Sequence, residues 1–236
     1  MSEAREEELA KNLEGVRERI RIACLAAGRA EADITLIVVT KFHPLEDVRR
    51  LIGLGVRHIG ENRDQEAAAK VADLDAQERR ALTVHFVGQL QSNKAGHVAG
   101  YADCVQSVDR SKIAEALDRG AERAGRVVDV FIQVDLAGTD AGRGGLQLAD
   151  VPRLAAEIAV LPALRLRGLM AVAPLGSDAD EAFTHLQQGG AQLQLEHPDA
   201  TSISAGMSGD LEQAIAHGAT HLRVGSAILG SRPPQR

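Results

Sequence analysis

Lys41 stands at the end of the apolar run Leu36-Ile37-Val38-Val39-Thr40, and Pro44 stops the segment soon after. Leu, Ile and Val without polar alternation read as a strand buried on both faces, as in a parallel sheet covered by helices. The amine therefore emerges at a strand's carboxyl end, where barrels and other α/β folds gather their reactive groups. Loss of hydration there disfavours the ammonium form, and the neutral amine can attack a carbonyl carbon to form a Schiff base. The alternative is a lysine that reaches out to solvent or pairs with a carboxylate. This segment alone leaves the two open.

Near the other end of the chain, two small-residue stretches each follow a strand pattern and precede a helix pattern: Ser204-Ala205-Gly206-Met207-Ser208-Gly209-Asp210 and Gly225-Ser226-Ala227. Barrel enzymes bind phosphate in such places, through unpaired backbone N–H groups and a helix N-terminus after strands seven and eight. Ser208 and Ser226 can add hydroxyl donors, and Gly206 and Gly225 let the backbone come close. The competing reading makes Ser208 an N-cap and the glycines ordinary turn residues. Arg223, inside the last strand, either donates to a ring nitrogen or forms a buried ion pair. Asn62, in Gly60-Glu61-Asn62, either reaches the same mouth or caps the next helix. Taken together, an imine-forming lysine, a phosphate cup and a strand-borne arginine match the needs of pyridoxal 5′-phosphate.

These groups need a scaffold that brings positions 41, 62, 208 and 223 to one end. Apolar residues three and four apart from Glu3 to Ala27 predict a long amphipathic helix, packed on a barrel's exterior or plugging one end. A helix follows Pro44 and ends at Gly53 and Gly55, and a strand is expected at Val56 to Ile59. Helices over Glu61–Asp73, Ser111–Ala124, Val151–Val160, Asp178–Leu195 and Leu211–His217 alternate with strands over Thr83–Val87, Asp103–Val108, Val127–Val134, Leu164–Met170, Thr201–Ser204 and His221–Val224. Ser92, Asn93 and Lys94 read as a polar loop before a short helix, and Leu136 to Gly145 as a mobile loop. About eight strand–helix units imply an α/β fold, a (β/α)8 TIM-like barrel with an extra N-terminal helix, as one domain over residues 1–236. Ile52-x-x-Gly55-Val56-x-His58-Ile59 is echoed by Ile215-x-x-Gly218-Ala219-x-His221-Leu222, a weak internal repeat in keeping with that grammar. An open doubly wound sheet is the rival, but no G-x-G-x-x-G follows the first strand.

Composition narrows the partners. A 236-residue chain with 44% hydrophobic residues can bury one large core, and a net charge of −6 argues against a nucleic-acid surface. The acidic start MSEAREEELA and the lack of a membrane-length apolar run predict a cytoplasmic protein. Cys24 and Cys104 sit in apolar patterns as small buried residues, and no His/Cys spacing suggests a metal site.

Six motifs in order carry a resemblance over nearly the whole chain: VVTKFHP at Lys41, HIGENRDQE at Glu61 and Asn62, HFVGQLQSNK from His85, LRGLMAVAP at Met170, SAGMSGDLEQAI at Ser204 and HLRVGSAILGSR at Arg223. The sequence resembles the pyridoxal phosphate homeostasis proteins (the YggS/PROSC family), relatives of the barrel domain of alanine racemase. That resemblance implies a monomeric fold-type III barrel that holds pyridoxal 5′-phosphate as an internal aldimine on Lys41. It places Ser204, Gly206, Met207 and Ser208 around phosphate and ring, Gly225 and Ser226 in the phosphate cup, and Arg223 opposite the pyridine nitrogen, with Asn62 a further candidate at the mouth. Ala205 and Leu229 stand where relatives usually have Met and Phe, and Arg143 where many have lysine.

The resemblance further implies storage and delivery of the cofactor, with transient contact to apo-enzymes and no catalytic residue. A small racemase is the alternative, and residual racemase activity is compatible with the sequence. Such a catalyst needs a second acid/base group, which true racemases of this kind supply with a tyrosine from a separate C-terminal domain. Here the sole tyrosine, Tyr101, precedes a strand and is expected at the face opposite Lys41. A third reading, a phosphate-sugar barrel using Lys41 without a cofactor, predicts a colourless protein.

Overall fold

Eight strands lie parallel, each beside its neighbour in sequence: β1 (Thr35–Val39), β2 (His58–Glu61), β3 (Thr83–Phe86), β4 (Cys104–Val108), β5 (Val128–Gln133), β6 (Leu164–Met170), β7 (Ser202–Ser204) and β8 (His221–Val224). β8 pairs with β1, Thr35 beside His221 and Ile37 beside Arg223, so the barrel is closed and the open sheet is excluded. The computed structural model describes residues 2–137, 144–174, 176 and 178–231. The expected loop from Leu136 to Gly145 falls largely on residues 138–143, Arg143 among them, which lie outside the described residues.

α1 (Ser2–Ala26) runs along the outside of the barrel rather than plugging an end. Leu9, Leu13, Val16, Ile20 and Ala23, the stripe read from the spacing, are all buried, and each large apolar side chain so covered contributes roughly 1.5–3 kcal/mol. Polar contacts fix where α1 lies: Arg19 pairs with Glu212 at 2.7 Å, Asn12 donates to Ile228 O at 3.0 Å, and Arg5 pairs with Asp47 at 2.9 Å. These partners lie on α9 (Leu211–Ala216), α10 (Ser226–Leu229) and α2 (Leu45–Gly53), so α1 straps the seam where the last units meet the first.

The internal echo is a repeated closure of helix into strand. Gly55 and Gly218 have φ of +85° and +86°, a left-handed conformation that glycine adopts without steric cost. Their N–H groups donate to Ile52 O and Ile215 O, and the next residues' N–H groups to Leu51 O and Ala214 O. This closure corrects the second strand. Val56 spends its N–H on the helix end, so pairing with β3 begins only at His58 beside Thr83, and β2 runs to Glu61 instead of ending at Ile59. Glu61 therefore closes a buried strand, and α3 starts at Asp64 (Asp64–Ala72).

Two other expectations shift. A helix absent from the sequence reading, α4 (Ala76–Ala81), is nucleated by Asp75, whose carboxylate accepts from Gln77 N and Glu78 N while Glu78 returns a bond to Asp75 N. Ser92, Asn93 and Lys94 form the first turn of α5 (Ser92–Val98) rather than a loop. The remaining helices, α6 (Ser111–Arg123), α7 (Val151–Ala159) and α8 (Ala179–Glu196), match within a residue or two. Cys24 and Cys104 are buried free thiols, and burial raises both above the usual thiol range.

Candidate functional site

β1 ends at Val39, the ladder continues through Thr40 N to Gly60 O at 2.9 Å, and the chain then turns at Lys41. Lys41 thus sits just past its strand rather than within it, half-buried, on the wall of a cavity of about 680 Å³ at the carboxyl end of the barrel. That volume is in the range of small-molecule sites.

Of the nine residues singled out from the sequence, Lys41, Asn62, Met207, Ser208, Arg223, Gly225 and Ser226 line this cavity. They come from β1, β2, β7 and β8, the first two and last two strands of the chain, which closure of the barrel makes neighbours. Ser204 and Gly206 do not line it. Ser204 is fully buried beneath Arg223, and the Gly206 carbonyl accepts the Arg223 N–H at 2.9 Å, so both support the wall from behind.

The structure decides between several readings left open by the sequence. Ser208 is no helix cap: the residue before α9 is Asp210, and the Ser208 hydroxyl lies 3.5 Å from that of Ser226. Two hydroxyls from the loops after β7 and β8 thus converge. α9 and α10 span six and four residues, too short for a large macrodipole, so the donors this corner offers are hydroxyl and backbone groups. Asp210 turns inward to its own loop and accepts from Met207 N at 2.6 Å. Asn62 does not cap α3, whose N-cap is Arg63. It packs on Gly88 so closely that a Cβ there would fall 2.1 Å from Asn62 Oδ1.

Arg223 is 5% exposed and, among the described residues, has no carboxylate partner within ion-pair distance. Its guanidinium donates to Ser204 Oγ at 2.6 Å and Ala171 O at 2.7 Å. Burial pushes it down to about 10, with the charge of Asp210 opposing, and at neutral pH it remains a cation that can only donate. Because Arg223 donates to Ser204, the serine hydroxyl in turn donates a hydrogen bond to Gln106 Oε1 at 2.7 Å. The Gln106 amide then donates to His85 Nδ1 at 3.1 Å, which leaves His85 protonated on Nε2 and donating to His58 Nδ1 at 3.0 Å. A one-way row of donors thus crosses the barrel interior from the cavity floor. Burial holds His85 well below the ordinary histidine range and lowers His58, consistent with neutral rings.

Sequence reasoning missed His43 and Gln133, both on the cavity wall. His43 is buried, and desolvation lowers it although Asp47, 3.8 Å away, works in the opposite direction. Its place two residues after Lys41 was a signal, as was the position of Gln133 at the end of β5. Tyr101 is not a cavity residue: its hydroxyl reaches Asp64 Oδ1 at 3.2 Å, and burial raises it far above the usual phenol range.

A family model described as alanine racemase, N-terminal domain, matches residues 11–233. A pyridoxal phosphate homeostasis protein of Corynebacterium glutamicum is 45% identical over 212 residues, covering 87% of this chain and 93% of that one. Another, from Mycobacterium tuberculosis, is 42% identical over 244 residues, covering 97% and 94%. Among solved structures, PipY of Synechococcus elongatus PCC7942 with PLP bound superposes with a TM-score of 0.78 at 35% identity, over 94% of this chain and 100% of that one.

Proposed function

The chain belongs to the alanine racemase N-terminal domain family, among its pyridoxal phosphate homeostasis proteins, and from that premise we propose that it binds pyridoxal 5′-phosphate through Lys41 and serves to store and deliver it. The observation that carries this reading is the meeting of one amine, one buried guanidinium and two converging hydroxyls on a single cavity. The donor set fits the cofactor. Ser208 and Ser226 suit a phosphate, the cavity between them and Lys41 has room for a pyridine ring, and Met207 and Val172 give it apolar edges.

The bound group supplies an aldehyde carbon and an electron-withdrawing ring. Lys41 would supply the amine for that carbon, and its half-buried place on the cavity wall favours the neutral form that can react. Ser208 and Ser226, with Gly225, would hold the anionic end. Arg223, a cation that can only donate, would offer a ring nitrogen a hydrogen bond rather than accept its proton, and so would favour a weaker electron sink than a carboxylate in its place. Asn62 holds the rim. Tyr101, turned to Asp64, offers no second acid/base group at the cavity.

The reading extends to a cytoplasmic monomer, one barrel domain over residues 1–236, that meets apo-enzymes transiently and has no catalytic turnover. Among the described residues, no helix is long and apolar enough to cross a membrane. The test is the absorbance spectrum of purified protein before and after borohydride, followed by peptide mapping. A yellow protein whose colour is lost on reduction, with mass added at Lys41, is expected. A colourless protein that gains no mass at Lys41 when supplied with the cofactor overturns the reading. Brisk α-hydrogen exchange in heavy water, abolished by Lys41→Ala, would assign racemase chemistry instead.

A further inference from the structure

Lys70 lies on α3, outside the cavity, and is 9% exposed. An ammonium has three protons to donate, and its Nζ lies within bonding distance of three acceptors: Thr40 O at 2.7 Å, Glu61 Oε1 at 2.9 Å and Glu66 Oε1 at 2.8 Å. Thr40 precedes Lys41 in the chain. Its hydroxyl also donates to Glu61 Oε1, at 2.6 Å, and Glu61 is 0% exposed at the end of β2. Phe42 follows Lys41, and its N–H donates to Glu66 Oε1 at 2.6 Å. Both neighbours of Lys41 are therefore tied to one buried ammonium through two carboxylates.

Phe42 also has φ of +68°, the single described non-glycine residue in the left-handed region. A bulky side chain rarely stays there unless its surroundings enforce it, and such residues gather at functional sites. Here the enforcing contacts are visible: the Glu66 carboxylate on its N–H and the Arg63 guanidinium 4.6 Å from its ring centroid. Glu61 Oε2 is buried without a partner. A buried ion cluster with an orphaned oxygen adds little net stability over apolar packing, and what it supplies is fixed geometry.

We propose that Lys70, Glu61 and Glu66 form a clamp that holds the Lys41 turn in its left-handed conformation, making them positioning residues for the cofactor amine. The proposal rests on the reading of Lys41 given above. Its prediction is that the turn loosens, and the amine reacts more slowly, when the ammonium is removed while the barrel stays folded.

Lys70→Met removes all three donors at similar length, and Lys70→Arg keeps the charge. Two readouts follow: hydrogen exchange at the Phe42 amide in cofactor-free protein, and the rate at which added pyridoxal 5′-phosphate becomes borohydride-fixed at Lys41. In Lys70→Met, exchange at Phe42 should quicken and fixation slow by about tenfold or more, the scale of one lost charge-assisted hydrogen bond. Lys70→Arg should recover part of both. If Lys70→Met does not fold, Glu66→Ala gives the same readouts, because Glu66 is a quarter exposed on the surface of α3. A folded variant with wild-type exchange and wild-type fixation overturns the clamp. Wild-type protein that is not fixed at Lys41 at all removes the cavity reading instead. The clamp is then judged by Phe42 exchange and by the rate at which a small acylating reagent labels Lys41, and wild-type values for both in Lys70→Met overturn it.

Discussion

Gly88→Ala adds one methyl group to the protein, yet it should disturb the cavity rim. The added Cβ falls 2.1 Å from Asn62 Oδ1 and 2.2 Å from the Asn62 carbonyl oxygen. Turning the asparagine side chain relieves the first contact but not the second, which is backbone. Restoring an ordinary separation of 3.4 Å or more requires the Asn62 segment or the Gly88 loop to move by about 1.2 Å. Overpacking of this kind costs about 1–3 kcal/mol, which in a chain of this size lowers the melting temperature by roughly 2–12 °C. The same displacement exceeds the roughly 0.5 Å tolerance of a binding constellation, so affinity for pyridoxal 5′-phosphate should fall about tenfold or more. The assays are a thermal melt of cofactor-free protein and an absorbance titration. Gly15→Ala is the control: that glycine is exposed on α1 with nothing within 4 Å of an added Cβ, and alanine there should stabilise by about 0.5–1 kcal/mol. A Gly88→Ala protein that melts and titrates like wild type refutes the argument that this glycine makes room for Asn62.

Replacing Ser208 and Ser226 together by alanine should weaken pyridoxal 5′-phosphate by roughly tenfold to a hundredfold, at about 1 kcal/mol for each hydroxyl, and leave pyridoxal, which lacks the phosphate, unaffected. Equal losses for both compounds would place the serines elsewhere than on the anion. The buried histidines set an acid limit. His221 is held at about 4 by burial, so as pH falls from the ordinary 6.5 the unfolded chain takes up a proton before the folded one does, and stability present at neutral pH is lost across that window. At about 1.4 kcal/mol per unit the loss from His221 is about 3 kcal/mol. Urea unfolding at pH 7 and pH 4.5 should show a smaller drop for His221→Asn than for wild type, and identical drops would contradict this assignment.

The strand–helix alternation was legible because a parallel barrel buries its strands on both faces, and runs such as Leu36 to Val39 carry no other message. Boundaries shifted where hydrogen bonds rather than hydrophobicity decide. Val56 looks like a strand residue, but its N–H closes the preceding helix. Lys41, Arg223, Ser208 and Ser226 could be found because each follows or ends a strand, and strand ends converge. Ser204 enters only through the family resemblance, and its place under Arg223, which donates to its hydroxyl, takes side-chain geometry to see. The clamp was out of reach: Lys70 lies mid-helix among Ala67, Ala68, Ala69 and Val71, and only the packing of α3 against β1 shows what its amine grips.

The row from Arg223 to His58 starts at a deeply set cation that, among the described residues, has no carboxylate within ion-pair distance. Every donor in that row points its hydrogen away from the guanidinium, so the bond dipoles are head to tail and present their negative ends to it. Ser204, Gln106, His85 and His58 thereby offer the guanidinium a row of oriented dipoles, carried by neutral side chains. Reversing a single link, by placing a proton on His85 Nδ1 for instance, would set two donors against each other at Gln106 and break the row beneath the guanidinium.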